Sequence, residues 1–174
     1  MMGFQGVFSI SDTKGNIDIS ENYYSDSIFE LKRSSNGKFM NDKLFFIKED
    51  ILFLLEGVIT NSKELCCQYD ENNWEDTFYK LYIRNPKSFF KEFRGSFCGI
   101  IYNIRNCNLT LYVDHFRSKD IYYCWLNNKF YFSTNLSYLA RLDIDSNKLN
   151  ISAAYLLLTF GATLGYKCTL SYFW

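Results

Sequence analysis

Side chains able to attack a carbonyl or carry a proton are few in this chain, and they are scattered. The one histidine, His115, follows Asp114 at the end of a predicted strand, which invites an acid–base pair. A His without a second His or Cys at ligand spacing is more often a surface or turn residue. Six cysteines (Cys66, Cys67, Cys98, Cys107, Cys124 and Cys168) make an even set, but only Cys66 and Cys67 adjoin and no CxxC spacing occurs. They are read as reduced thiols packed like small apolar groups, with Cys66-Cys67 inside an amphipathic helix. No metal or cofactor site is expected.

The elements that must position these groups can be read in turn. Residues 1–10 predict a strand, and residues 11–45 are polar and irregularly patterned, with a loop signal at Ser34-Ser35-Asn36-Gly37. Leu44–Ile47 and Ile51–Leu55 predict a strand pair turning at Lys48-Glu49-Asp50. Asn61-Ser62-Lys63-Glu64 has the capping-box pattern of a helix start. A second helix opens near Asn72/Asn73 with Trp74, Phe78, Leu81 and Tyr82 at helical spacing, and a third is predicted from Asn85-Pro86 through Phe93. The period then changes to two, predicting strands at 97–102, 109–113, 121–126 and 130–133, with turns at Asn106-Cys107-Asn108 and Asn127-Asn128. Short helices follow at 136–141 and 151–160. Strands, then helices, then a strand meander argue for an α+β fold with two sheets.

Composition narrows the function classes. The chain has 174 residues, enough for one domain with a sizeable core. Its 19 Lys+Arg balance 19 Asp+Glu with no like-charge run, which disfavours nucleic-acid binding. An aromatic content of 20% gives too much apolar surface for a disordered chain. No apolar stretch is long enough to span a bilayer, and the start lacks signal-peptide features, so a cytoplasmic protein is expected.

Several short segments, taken in order, carry a resemblance. They are Met1-Met2-Gly3-Phe4-Gln5-Gly6-Val7-Phe8, then Glu56-Gly57-Val58-Ile59-Thr60-Asn61-Ser62-Lys63-Glu64-Leu65, then Gly95-Ser96-Phe97. Asp114-His115-Phe116 with Ile121-Tyr122-Tyr123, and Phe132-Ser133-Thr134-Asn135-Leu136-Ser137-Tyr138-Leu139, follow. Together they resemble the N-terminal glutaminase domain of asparagine synthetases, class II glutamine amidotransferases of the N-terminal-nucleophile fold. The resemblance implies a four-layer α/β/β/α sandwich over residues 1–150. Residues 151–174 would begin a linker toward a synthetase domain, whose Gly-rich pyrophosphate loop is absent here.

The departures fall on the residues that carry chemistry in the family. There a cysteine follows the initiator Met and, once terminal, attacks the glutamine amide. Met2 stands at that position, and a thioether forms no thiolate. A bulky second residue also predicts that Met1 is retained. The family's oxyanion donors are an Asn side chain and the backbone N–H of the next Gly. Gly57 remains, but Glu56 replaces the Asn, and a carboxylate repels a developing oxyanion. Val58 replaces an acidic residue, Trp74 stands where an Asp would bind the substrate ammonium, and Lys43-Leu44 replaces the Arg-Leu that holds the substrate carboxylate. Val58, Asn61 and Trp74 thus outline a relict substrate pocket. Asn61 also reads as a helix cap and Gly57 as a turn glycine. A charge at Glu56 either finds a cation or marks a pocket that no longer needs its old ligand.

The resulting expectation is a catalytically inactive glutaminase-like domain with a scaffold or partner-binding role. The partner would be an adenylating synthetase-like protein docking on the apolar C-terminal edge, Leu156–Phe160 with Tyr172, Phe173 and Trp174. Two alternatives stay open: a working glutaminase subunit with an unrecognised nucleophile, and a pocket retuned to sense another small molecule.

Overall fold

A computed structural model of the chain describes residues 3–9, 17–34, 38, 40–142 and 151–160, the last stretch with only some of its side chains. Met2, Ser11, Cys168 and the tail 172–174 lie outside these residues. In chain order come β1 (Gly3–Ser9), β2 (Asp18–Ser20), β3 (Tyr23–Ser25), β4 (Phe29–Ser34), a 3-10 turn at Met40–Asp42, β5 (Leu44–Lys48) and β6 (Ile51–Ile59). Helices α1 (Ser62–Gln68) and α2 (Trp74–Arg84), a 3-10 turn at Phe89–Glu92, β7 (Gly95–Asn103) and β8 (Asn108–Val113) follow. The chain closes with β9 (Tyr122–Leu126), β10 (Lys129–Ser133), α3 (Leu136–Leu139) and α4 (Ile151–Phe160). The fold is α+β with two antiparallel sheets, as the order of periods predicts.

The chain divides into two compact units, Met1–Ser34 with Ile121–Trp174, and Ser35–Asp120. The first holds a six-stranded sheet in the order β2-β3-β4-β1-β10-β9. Alternation along its strands sorts the two faces. Phe4, Phe29, Leu31 and Phe132 share one face and are buried, with the Phe29 and Phe132 rings stacked at 6.1 Å. The other face carries α3, whose Leu139 packs with Cys124 and whose Asn135 caps the first turn by accepting from the Ser137 N–H. Strands β2, β3 and β4 lie within residues 11–45, where the sequence as a whole shows no regular pattern. Two of them are three residues long, too short to show a period, while Phe29-Glu30-Leu31-Lys32 does alternate.

The second unit holds a four-stranded sheet in the order β5-β6-β7-β8. Helices α1 and α2 cover one face, where Phe53, Leu55, Leu65, Phe78, Leu81, Phe89, Phe93 and Tyr112 form one buried cluster. Phe78 sits at its centre, edge-on to Phe53 at 5.7 Å and to Phe89 at 5.4 Å, the geometry that aligns ring quadrupoles favourably. Helix α2 starts where its cap dictates, since Asn73 Oδ1 accepts from the Asp76 N–H at 2.8 Å. The helix predicted after Asn85-Pro86 is instead a short 3-10 turn. Its bonds run over three residues, Lys91 N to Ser88 O and Phe93 N to Phe90 O, and tuck Phe89 and Phe93 into the cluster.

One hydrogen bond crosses the whole width of β7. The buried Tyr112 hydroxyl on β8 donates to the Leu54 carbonyl on β6 at 2.8 Å. It passes over Gly99, where any Cβ would collide with both oxygens. Tyr112→Phe is expected to lower stability by about 1 kcal/mol, the usual net value of a hydrogen bond. Gly99→Ala should cost more, because it also displaces the ring. Urea denaturation of the two variants measures both, and a Gly99→Ala chain as stable as the Tyr112→Phe chain would contradict this account.

Candidate functional site

Three consecutive residues of β6 hold the positions at which the resemblance expects chemistry. Glu56 pairs with Cys98, Gly57 with Phe97 and Val58 with Ser96 across the β6–β7 ladder. Glu56 is 5% exposed. It points away from the helix-covered face, since neighbouring Leu55 faces the aromatic cluster and successive strand residues alternate. Its counter-charge is Lys43, whose Nζ lies 3.7 Å from Glu56 Oε2, with both side chains 6% exposed. Lys43 directly precedes Leu44, which pairs with Leu55, so the ladder carries its side chain alongside Glu56. The 3-10 turn at Met40–Asp42 fixes the approach, with the Lys43 N–H bonded to the Met40 carbonyl.

Gly57 lies within β6 and not in a turn, which corrects the turn-glycine reading. Its φ of +143° is a conformation that residues with a Cβ rarely adopt, and a methyl there would strike the Ser96 carbonyl oxygen. The demand for glycine is thus set by close approach of β7. Val58 is half-buried beside it.

Asn61 occupies the N-cap position of α1, but its side chain makes no capping hydrogen bond. It accepts from the Arg94 N–H at 2.8 Å and donates Nδ2 to the Glu92 carbonyl at 2.9 Å. The amide therefore acts as a strand segment would, tying the end of β6 to the chain entering β7. The capping box also fails to form, since Glu64 reaches Arg94 at 3.7 Å on the surface. Trp74 opens α2 and packs edge-on against Phe78 and Phe93 in the core.

Beside Ser96 lies a tightly bonded acidic turn. Asp114 is buried and accepts from the Phe97, Phe116 and Ser118 amides and from the Ser118 hydroxyl. Burial works against its charge, but the Ser118 hydroxyl and these amides outweigh it and hold the carboxyl below its usual range. Its oxygens serve the loop and not His115, which stands exposed in the turn. The thiol of Cys98, the residue paired with Glu56 across the ladder, is pushed up to about 12 by burial, with Lys119 opposing and Glu56, Asp114 and Asp120 reinforcing the shift. Cys124 is pushed up to about 11 by burial. Both are poor sources of thiolate at neutral pH. Among the described residues no three His, Cys, Asp or Glu side chains converge as a metal site, and no helix is long and apolar enough to cross a membrane.

The two-sheet architecture defines a class, and comparison with solved structures agrees. The chain is similar to a glutamine phosphoribosylpyrophosphate amidotransferase from B. subtilis, complexed with ADP and GMP, with a TM-score of 0.58 at 8% identity. The match covers 79% of this chain and 43% of that one, so the chain spans under half that protein's length. The fold is that of a class II glutamine amidotransferase. Residues 44–141 match the glutamine amidotransferase domain family, over half of the chain, and the protein belongs to that family. No curated protein sequence matches it.

The geometry of Asn61 separates clamp from cap. A serine caps as well as an asparagine but is too short to bridge two backbone groups. Asn61→Ser is therefore expected to destabilise the chain by about 1 kcal/mol or more, through loss of the two part-buried hydrogen bonds to the Arg94 amide and the Glu92 carbonyl. Thermal or urea unfolding measures it, and a neutral result would restore the capping role.

Proposed function

We propose that this amidotransferase domain is catalytically silent and serves as a scaffold within an asparagine synthetase-like system. The observation that carries the reading is the Lys43–Glu56 pair at the position where the family keeps its oxyanion-stabilising Asn. A working glutaminase needs a neutral donor there when negative charge develops on the substrate oxygen. A carboxylate fixed by a lysine offers no such donor. The same lysine stands where the family's substrate-carboxylate Arg is expected, and its charge is matched by Glu56. Met2 at the nucleophile position supports the reading, since a thioether forms no thiolate.

The partner in this reading is an adenylating synthetase-like protein. Support comes from α4, which turns Ile151, Tyr155 and Leu158 to solvent along one side. Apolar side chains at these helical intervals suit a partner's apolar surface.

A glutaminase assay on the full chain tests the silent reading. Ammonia release from glutamine is expected to stay at the level of a heat-denatured control. Release that is abolished by cysteine alkylation would overturn it, and would point to a working glutaminase subunit.

A further inference from the structure

The six-stranded sheet carries polar groups that its own packing does not use. Between β1, β4 and α3 lies a pocket of about 110 Å³, lined by Gln5, Gly6, Val7, Glu30, Lys32 and Tyr138. All six belong to the first unit. Glu30 and Lys32 are two apart on β4 and so face the same way, opposite Val7 and Gln5 on β1. Their charges meet at 3.1 Å, with the two side chains roughly half exposed. Such a solvated pair contributes little to folding, at most about 1 kcal/mol, and is easily opened by a competing ligand.

The remaining polar groups at the pocket are unspent. Among the described residues, neither the Gln5 side-chain amide nor the Tyr138 hydroxyl makes a hydrogen bond. Burial and the Glu30 carboxylate push the Tyr138 hydroxyl up, so it keeps its proton and remains a donor at neutral pH. The pocket thus presents one cation, one anion, one amide and one hydroxyl around a small space. Its volume falls well below the roughly 300–1,000 Å³ of drug-sized sites, which restricts it to a small ligand.

We propose that this pocket binds a free α-amino acid with a short side chain. The ammonium group would sit on Glu30 and the carboxylate on Lys32, with Gln5 and Tyr138 meeting the remaining donors and acceptors. A zwitterion replaces the surface ion pair by two complementary contacts, so neither protein charge is left unpaired. A ligand carrying one charge satisfies only one of the two and strands the other. The site is independent of the Glu56 position and does not rest on the silence of the domain.

Calorimetric titration of the full chain with alanine and serine tests this, with methylammonium and acetate as single-charge controls. Saturable binding of at least one amino acid is expected, about tenfold or more tighter than either control. Glu30→Gln and Lys32→Gln should each weaken it by about tenfold, close to 1.4 kcal/mol. Tyr138→Phe, which removes only a hydroxyl, should weaken it severalfold, while Arg105→Gln, in the second unit, leaves it unchanged. No saturable binding by either amino acid, equal binding of methylammonium, or binding that survives both charge substitutions would each overturn the proposal.

Discussion

A carboxylate taken out of water needs a positive charge beside it, because leaving it bare costs several kcal/mol. Glu56 imposes that condition on the second unit, and the local chain path meets it. The 3-10 turn at Met40–Asp42 delivers Lys43 to the start of β5, and the Leu44–Leu55 pairing brings lysine and glutamate level. Directly after Glu56, the backbone of β7 approaches so closely that only glycine fits at position 57. Beyond that, Asn61 fastens the end of β6 to the segment entering β7. Charge, glycine and amide follow one another along a few residues, and each ties that stretch to a different neighbouring segment.

Within the second unit, polar and aromatic side chains serve packing and loop geometry. Trp74 belongs to an aromatic cluster, Asn61 to a backbone clamp and Asp114 to a rigid turn. Apolar and structural side chains satisfy the fold as well as catalytic ones do, because the core depends on ring packing and ladder register and not on a substrate pocket. Fold and activity are separable for this reason.

Much of the fold is legible in the residues. The period change near Phe97, the Asn127-Asn128 turn and the Asn73 cap all appear where patterning puts them, and Asn127 and Asn128 adopt the positive φ that such turns require. What escapes has physical reasons. Strands β2 and β3 are too short for alternation to register, and the segment after Pro86 closes into a short 3-10 turn that places Phe89 and Phe93 in the core. At the site, the oddity of Glu56 is visible in the sequence, but its partner is not. Lys43 and Glu56 are thirteen positions apart, and only the register of β5 on β6 brings them together. Asn61 misleads because a cap and a clamp ask for the same residue type.

Glu56 and Lys43 form one buried unit, and a double-mutant cycle measures their coupling directly. Unfolding free energies of the parent, Lys43→Met, Glu56→Leu and the double variant give it. Because both side chains are 6% exposed, each single change removes a buried counter-charge and is expected to cost about 3–5 kcal/mol. The double change then costs far less than the sum, with a coupling of at least about 2 kcal/mol. Single costs that simply add, within about 0.5 kcal/mol, would mean the two side chains act independently and would contradict the account.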